Sequence, residues 1–241
     1  MSQIQPWMGR TQLLLGEHAL EKLIDAHVMV VGLGGVGGIC AEMIARAGVG
    51  RMSIVDADSV EESNRNRQIV ALKSNDGRLK AEILAERIRD INPNIELNVY
   101  PEYIRNQRVD ELLDSARYDY VVDCIDTLSP KVFLIKGCVD RNIPIVSSMG
   151  AGGKVDPALV QSVDVSETYN CQLAFYVRKR LRRMGIHKGV KVIWSPEEID
   201  ASRVVVVDSG PKKSIIGTMS YIPATFGIHA ASVVIRDLYM R

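Results

Sequence analysis

Apolar runs too short for a helix alternate with amphipathic stretches through the first two-thirds of the chain. Residues 26–31 form a β-rich run that leads into a glycine loop at 32–38, a helical pattern over 39–47 and a short strand at 52–55. From about residue 79 to 91, Leu79, Ile83, Ile88 and Ile91 share one helical face with charges opposite, and Asn92-Pro93 ends the run. Strands follow at 96–100, 120–124 and 143–147, with a helix at about 131–141 between the last two. Short apolar strands separated by helices predict a Rossmann-like, doubly wound α/β fold with a mostly parallel sheet. A further helical pattern, 13–24, precedes the first strand. After Gly150-Ala-Gly-Gly-Lys154 the alternation loosens. Strands at 159–163, 190–193 and 204–207, a helix at 173–184, a flexible loop at 208–214 and a closing helix at 224–239 are expected there, with the C-terminal strands antiparallel. No repeat, low-complexity tract or long linker divides the chain, so one domain over 1–241 is predicted, with an N-terminal arm and helix (1–25), a core (26–150) and a C-terminal extension (151–241).

Composition narrows the class. The 241 residues are 46% hydrophobic and 24% charged, with 30 Lys and Arg against 29 Asp and Glu, which excludes disordered, collagenous and disulfide-stapled chains. A formal net charge of +1 excludes a globally basic nucleic-acid binder and leaves a local basic face open. Four cysteines, Cys40, Cys124, Cys138 and Cys171, show no C-x-x-C spacing, so neither a zinc ribbon nor a disulfide framework is indicated. The opening MSQIQPWMGR holds no apolar run of the signal-peptide kind. Residues 28–45 are apolar but hold five glycines and Glu42, and 215–235 are interrupted by Gly217, Pro223 and Gly227, with Pro223 expected to break any single helix. Both read as buried core, and a cytoplasmic protein without membrane association is expected.

The glycine loop, Gly32-Leu-Gly34-Gly35-Val-Gly37-Gly38, fits G-x-G-x-x-G between a strand and a helix. Glycines there permit a tight turn and bring backbone N–H groups to a phosphate at the helix N-terminus. Asp56 closes the next strand nineteen residues after Gly37, where a carboxylate accepts hydrogen bonds from ribose hydroxyls. This pattern alone does not separate a dinucleotide from ATP, and NAD-dependent redox chemistry is a rival at this point. The polar stretch after Asp56 shifts the balance. Arg67, and Lys80 thirteen residues beyond it, supply cations of the kind that a triphosphate losing pyrophosphate requires. Asp126, just past the strand ending at Asp123-Cys124, falls at the C-terminal edge of the sheet, where a carboxylate can hold Mg²⁺ against phosphates.

Together, the glycine loop, the string Asp56-x-Asp58 … Ser63-Asn64-x-Asn66-Arg67-Gln68, Lys80 and Cys124-Ile-Asp126 resemble the ubiquitin-activating-enzyme superfamily of ATP-dependent adenylating folds, over nearly the whole chain. Within it, Arg10-Thr-x-Leu-Leu-Leu-Gly16, Gly150-Ala-Gly-Gly-x-x-Asp156-Pro157 and Asp164-x-Ser-x-Thr168 resemble the tRNA threonylcarbamoyladenosine dehydratases, which use ATP to close the threonyl side chain of a modified adenosine beside the anticodon into a ring. The resemblance implies ATP and Mg²⁺ as cofactors. It implies ribose contact by Asp56, nucleotide contacts by Gly32, Gly34, Gly35, Gly37 and Gln68, and triphosphate contacts by Asn64, Arg67 and Lys80. It further implies Asp126 on Mg²⁺ and the reacting phosphate, and a homodimer in which Arg10 reaches the neighbouring subunit's ATP. Activators of sulfur-carrier proteins share this core and are the leading alternative, with a ubiquitin-like carrier protein as partner. Many of them carry paired C-x-x-C zinc ligands, absent here, and a reactive cysteine, for which Cys171 is the one candidate in the second half. A nucleotide-binding adaptor is a further alternative, against which Arg67, Lys80 and Asp126 all argue.

Residues 177–191, VRKRLRRMGIHKGVK, hold seven Lys or Arg and no acid. Leu173, Val177, Leu181 and Met184 recur at helical spacing, which leaves Arg178, Lys179, Arg182 and Arg183 outside as tRNA-binding candidates, extended by Lys212 and Lys213. Without interleaved aromatics in that window, phosphate contact is expected rather than base stacking.

Overall fold

Parallel strands need crossover connections, and the amphipathic stretches supply them. The computed structural model describes residues 4–206 and 214–240. Helices α1 (Gly9–Leu15) and α2 (Glu17–Asp25) lead into strand β1 (His27–Val31), followed by α3 (Gly37–Arg46), β2 (Arg51–Val55), α4 (Lys80–Ile91) and β3 (Glu96–Tyr100). Next come α5 (Gln107–Asp114), β4 (Tyr120–Asp123), α6 (Leu128–Asp140) and β5 (Ile145–Ser148). The last third adds β6 (Gln161–Asp164), α7 (Gln172–Arg183), β7 (Lys191–Trp194), β8 (Val204–Val206), β9 (Ser214–Ile216) and α8 (Tyr221–Met240).

Seven strands form one sheet in the order β3-β2-β1-β4-β5-β7-β6, parallel throughout except for β6, which runs antiparallel to β7. The expected mostly parallel sheet with antiparallel strands late in the chain is what forms. β8 and β9 pair as a separate antiparallel hairpin. Alternate residues of each central strand serve opposite faces. Val28, Val30, Met52, Ile54, Tyr120 and Val122 pack with α2, α3, α4 and α8, while Met29, Val31, Val55 and Val121 pack with α5, α6 and α7. Burial on both sides is why these strands read as continuous apolar runs.

Several local expectations are corrected. The pattern over 13–24 is two helices, because Gly16 at φ +83° breaks it between Leu15 and Glu17. Pro223 does not interrupt α8: it is the third residue of that helix, where no N–H bond is lost. The strand expected at 159–163 begins at Gln161 after a single 3₁₀ turn, Pro157–Leu159. Helix α5 was not foreseen, and neither was β9, whose Ser214 falls at the end of the expected loop; Lys212, Lys213 and the rest of that loop lie outside the described residues. No helix among the described residues is long and apolar enough to cross a membrane.

Candidate active site

The strand order reverses between β1 and β4, and the ends of β1, β2 and β4 meet there. The glycine loop fills that gap for steric reasons. Gly32 sits at φ +86°, and a Cβ on it would come 2.9 Å from the Cys124 carbonyl carbon and oxygen. A methyl on Gly37 would overlap the Gly32 carbonyl oxygen. Gly35 is held between Pro223 of α8, 3.0 Å from its virtual Cβ, and the Arg67 main chain at 3.3 Å. Gly34 has more room: its nearest neighbour is the Gln68 amide, at 3.6 Å, and the buried Gln68 Oε1 has no hydrogen-bond partner. Helix α3 starts at Gly37 without a side-chain cap, so the positive end of its dipole faces the loop. A cradle closed to side chains, an orphaned amide oxygen and an uncapped helix start suit a nucleotide: backbone N–H groups for phosphate, and an acceptor for a hydroxyl or amine.

Asp56 is bound into this loop. Its Oδ2 accepts from Leu33 N at 2.6 Å and its Oδ1 from Asp58 N at 2.8 Å. Burial pushes the Asp56 carboxyl up from the usual range, opposed by those two N–H groups and by Lys80. Asp58 passes the connection on. Buried Lys80, at the first position of α4, donates to Asp58 Oδ2 at 2.8 Å, and the Tyr103 hydroxyl donates to Oδ1 at 2.7 Å. The Lys80 N–H also donates to the Asp58 carbonyl at 2.9 Å, which fixes the loop to the helix start.

Asn64 is buried and shapes a 3₁₀ turn, its Oδ1 accepting from Glu61 N at 3.3 Å. Half-buried Arg67 donates from Nη1 to Ser63 O at 3.0 Å and to Asn66 Oδ1 at 2.8 Å. Asn66 in turn donates to Thr218 O at 3.2 Å, which ties the turn to the segment before α8.

Asp126 is exposed at the end of a turn built by residues the sequence reading passed over. Asp123 and Lys131 are both fully buried, and Lys131 Nζ donates to Asp123 Oδ2 at 2.7 Å, Ser147 Oγ at 3.1 Å and Ser148 O at 2.9 Å. The other Asp123 oxygen accepts from Ile125 N at 3.0 Å, so a buried ion pair sets the path of Cys124-Ile125-Asp126. The sequence signal was an acid ending an apolar strand with a lysine eight residues on, which periodicity reads as two surface charges. Asp58 and Tyr103 were missed likewise: one stood inside a quoted motif without a role, and the other lies in a loop without pattern.

Gly34, Gly35, Gly37, Asp56, Arg67, Gln68, Lys80 and the turn to Asp126 are thus connected at one sheet edge. Arg10 stands apart, exposed on the first turn of α1. Of the basic helix, Lys179, Arg182 and Arg183 are exposed, whereas half-buried Arg178 bonds the Thr168 hydroxyl. Among the described residues no group of three or more His, Cys, Asp or Glu is arranged to hold a metal by itself. Burial raises the thiols of Cys40 and Cys138, and with help from Asp123 pushes Cys124 up to about 12, which disfavours the thiolate at all three. Cys171 is buried against Gly150.

A glycine loop opening at the reversal of a Rossmann-like sheet defines the nucleotide-binding class of α/β proteins. The ThiF family model matches residues 9–239, and the chain belongs to the ThiF family. It is 38% identical over 248 residues to tRNA threonylcarbamoyladenosine dehydratase of Escherichia coli strain K12, covering 95% of this chain and 92% of that one. To the protein of the same name from Bacillus subtilis strain 168 it is 43% identical over 189 residues, covering 78% of this chain and 74% of the other. The crystal structure of the E. coli dehydratase in complex with ATP superposes with a TM-score of 0.88 at 37% identity, covering 97% and 93% of the two chains.

Proposed function

We propose that the protein is an ATP-dependent tRNA threonylcarbamoyladenosine dehydratase. The carrying observation is the single connected edge formed by the glycine loop, Arg67, the Asp56–Asp58–Lys80 chain and the turn to Asp126, in a chain 38% identical to such a dehydratase over 95% of its length. A carboxylate oxygen of the threonyl group attacks the α-phosphorus of ATP and pyrophosphate leaves. A carbamoyl heteroatom of the same side chain then attacks the carboxyl carbon, the carbamoyl group gives up a proton and the bond to the activated oxygen breaks; that oxygen departs with AMP, so the nucleoside loses one water overall. The glycine loop and the start of α3 bind phosphate, and Asp56 and Gln68 bind nucleoside. Asn64 holds the turn from which Arg67 reaches the triphosphate. Arg67, moving from its neutral partners Ser63 O and Asn66 Oδ1, and Lys80, moving from the Asp58 carboxylate, offset charge developing on pyrophosphate. Asp126 would hold Mg²⁺, which commonly takes only one or two carboxylates from protein and would supply charge neutralisation at the triphosphate.

Arg10 completes the site of a second copy in a homodimer. What supports this is the helix that carries it, where Leu13 and Leu14 are 89% and 83% exposed and want a covering surface. Lys179, Arg182 and Arg183 meet tRNA phosphates, whereas Arg178, bonded to Thr168, serves the α7 anchor first.

The test uses the intact protein with ATP and Mg²⁺, offered either tRNA containing threonylcarbamoyladenosine or a carrier protein ending in Gly-Gly. Nucleotide turnover with the tRNA alone, and loss of one water from the modified nucleoside by mass spectrometry, is the expected result. Turnover stimulated only by the carrier would overturn the reading in favour of a sulfur-carrier adenylyltransferase.

A further inference from the structure

Helix α7 presents more than cations to solvent. Its inner side is Ala174, Val177 and Leu181, and its flanks are anchored by Arg178 to Thr168 and by Arg180 to Ser129 Oγ at 2.7 Å. The exposed positions are Gln172, Phe175, Tyr176, Lys179, Arg182 and Arg183, spaced as one continuous helical face. Phe175 is 50% and Tyr176 42% exposed, and their rings meet edge to face with centroids 5.3 Å apart at 74°. That geometry leaves ring surface open to a third planar group.

The placement relates this face to the candidate active site. Ser129, which receives Arg180, lies in the first turn of α6, three residues after Asp126. At the other end, the Cys171 thiol before α7 sits 3.4 Å from the virtual Cβ of Gly150, which follows β5 at the same sheet edge. The face therefore runs beside the edge where the nucleotide loop opens, aromatic at its start and cationic along its last two turns. No acid occurs in α7. Aromatic rings beside three exposed cations are the combination by which proteins hold single-stranded nucleic acid: phosphates go to the cations and unpaired bases stack on the rings.

Building on the tRNA reading above, we propose that Phe175 and Tyr176 are a stacking platform for an unpaired base of the tRNA, while Lys179, Arg182 and Arg183 hold the adjoining backbone. The two kinds of contact differ in their salt dependence. Stacking is insensitive to salt, whereas each phosphate contact releases counterions.

Binding of tRNA, and of a fully double-stranded RNA of equal length, is measured over a series of salt concentrations for the intact protein and its variants. Phe175→Ala with Tyr176→Ala is expected to weaken tRNA binding about tenfold or more, with the salt slope, ATP affinity and thermal midpoint of the wild type. Duplex RNA, whose bases offer no free face, should bind this variant as it binds the wild type. Phe175→Tyr with Tyr176→Phe should restore tRNA affinity, and replacing Lys179, Arg182 and Arg183 by Ala should flatten the slope. The proposal is overturned if the double alanine variant binds tRNA as tightly as the wild type, or loses affinity for duplex RNA equally. A change in oligomeric state with unchanged RNA affinity would overturn it too, assigning the face to a protein interface. Absence of tRNA binding by the wild type would instead bring down the parent reading.

Discussion

Lys131 shows what one side chain does at this site without meeting a ligand. Two charges removed from water are costly unless they are paired and hydrogen-bonded, and here Lys131 has Asp123, Ser147 and the Ser148 carbonyl around its ammonium group. Lys131→Met would strand the Asp123 carboxylate in the core, and a loss of about 3–5 kcal/mol in urea unfolding is expected. Adding Asp123→Asn should recover part of that stability while turnover stays low, because the turn to Asp126 has lost its brace. Asp126→Ala is expected to cut turnover about 10²–10³-fold while the chain still folds cooperatively in urea. His27 reports on the opposite end of the sheet. Its ring lies against Tyr118 at 4.6 Å and within 3.0 Å of Ser53 Oγ, and burial, then Arg51, hold its imidazole below the ordinary 6.5, with Glu96 and Asp119 opposing. The unfolded chain therefore takes up a proton that the folded chain refuses, and stability falls as pH drops through 6.5 toward the depressed value. His229 is shifted the same way, so His27→Gln should reduce, not abolish, the slope of the urea midpoint against pH between about 7 and 5.

At the scale of elements, the strand–loop–helix unit β1–α3 is the most constrained. Gly37 has no room for a methyl group because the loop doubles back onto the Gly32 carbonyl. Gly37→Ala should open the loop, and equilibrium dialysis with ATP is expected to show binding lost before the fold is. This unit was legible in the sequence, since the steric demand leaves glycines at fixed offsets. Helix α7 was only half legible. Its cations stood out as a run, but a window opened at Val177 left out Phe175 and Tyr176, and the expectation of phosphate contact alone followed from that cut. Burial also changed the cation set: Arg178 looks as free as Lys179 along the sequence, yet buried Thr168, just after the 3₁₀ turn Val165–Glu167, claims it. Helix α5 did leave a trace, since Val109, Leu112 and Leu113 recur at i, i+3 and i+4 with charges opposite, but its eight residues, QRVDELLD, make barely two turns, and so short a run is easily passed over.

For the whole molecule, the consequence of an Arg10 acting across a two-fold axis is quantitative. Arg10→Ala and Lys80→Ala homodimers should each be nearly inactive. After mixing and random exchange half the dimers are mixed, and each of those holds one site with its own Lys80 and an intact Arg10 from the neighbour. Recovery of about a quarter of wild-type turnover is expected. No recovery after confirmed exchange would mean that Arg10 acts within its own subunit or not at all. Arginine is suited to such a role, as a planar fork of donors grips phosphate where a lysine offers a point charge.

The sequence by itself determined the mostly parallel sheet, its core strands and the glycine loop, because strand burial on two faces and the tight turn each impose a local pattern that survives in one dimension. Asp56 and Asp126 were readable because short-range spacing places them where strands end, whereas the roles of Asn64 and Gln68 were implied by the family resemblance alone. Only the tertiary structure decided which charges are partners. Lys131 meets Asp123, Lys80 meets Asp58, Arg178 meets Thr168 and Gln68 turns to Gly34, all pairings made by packing between elements whose mutual distance the chain order does not contain. A charge is read as solvated until something covers it, and what covers it here arrives from another part of the fold.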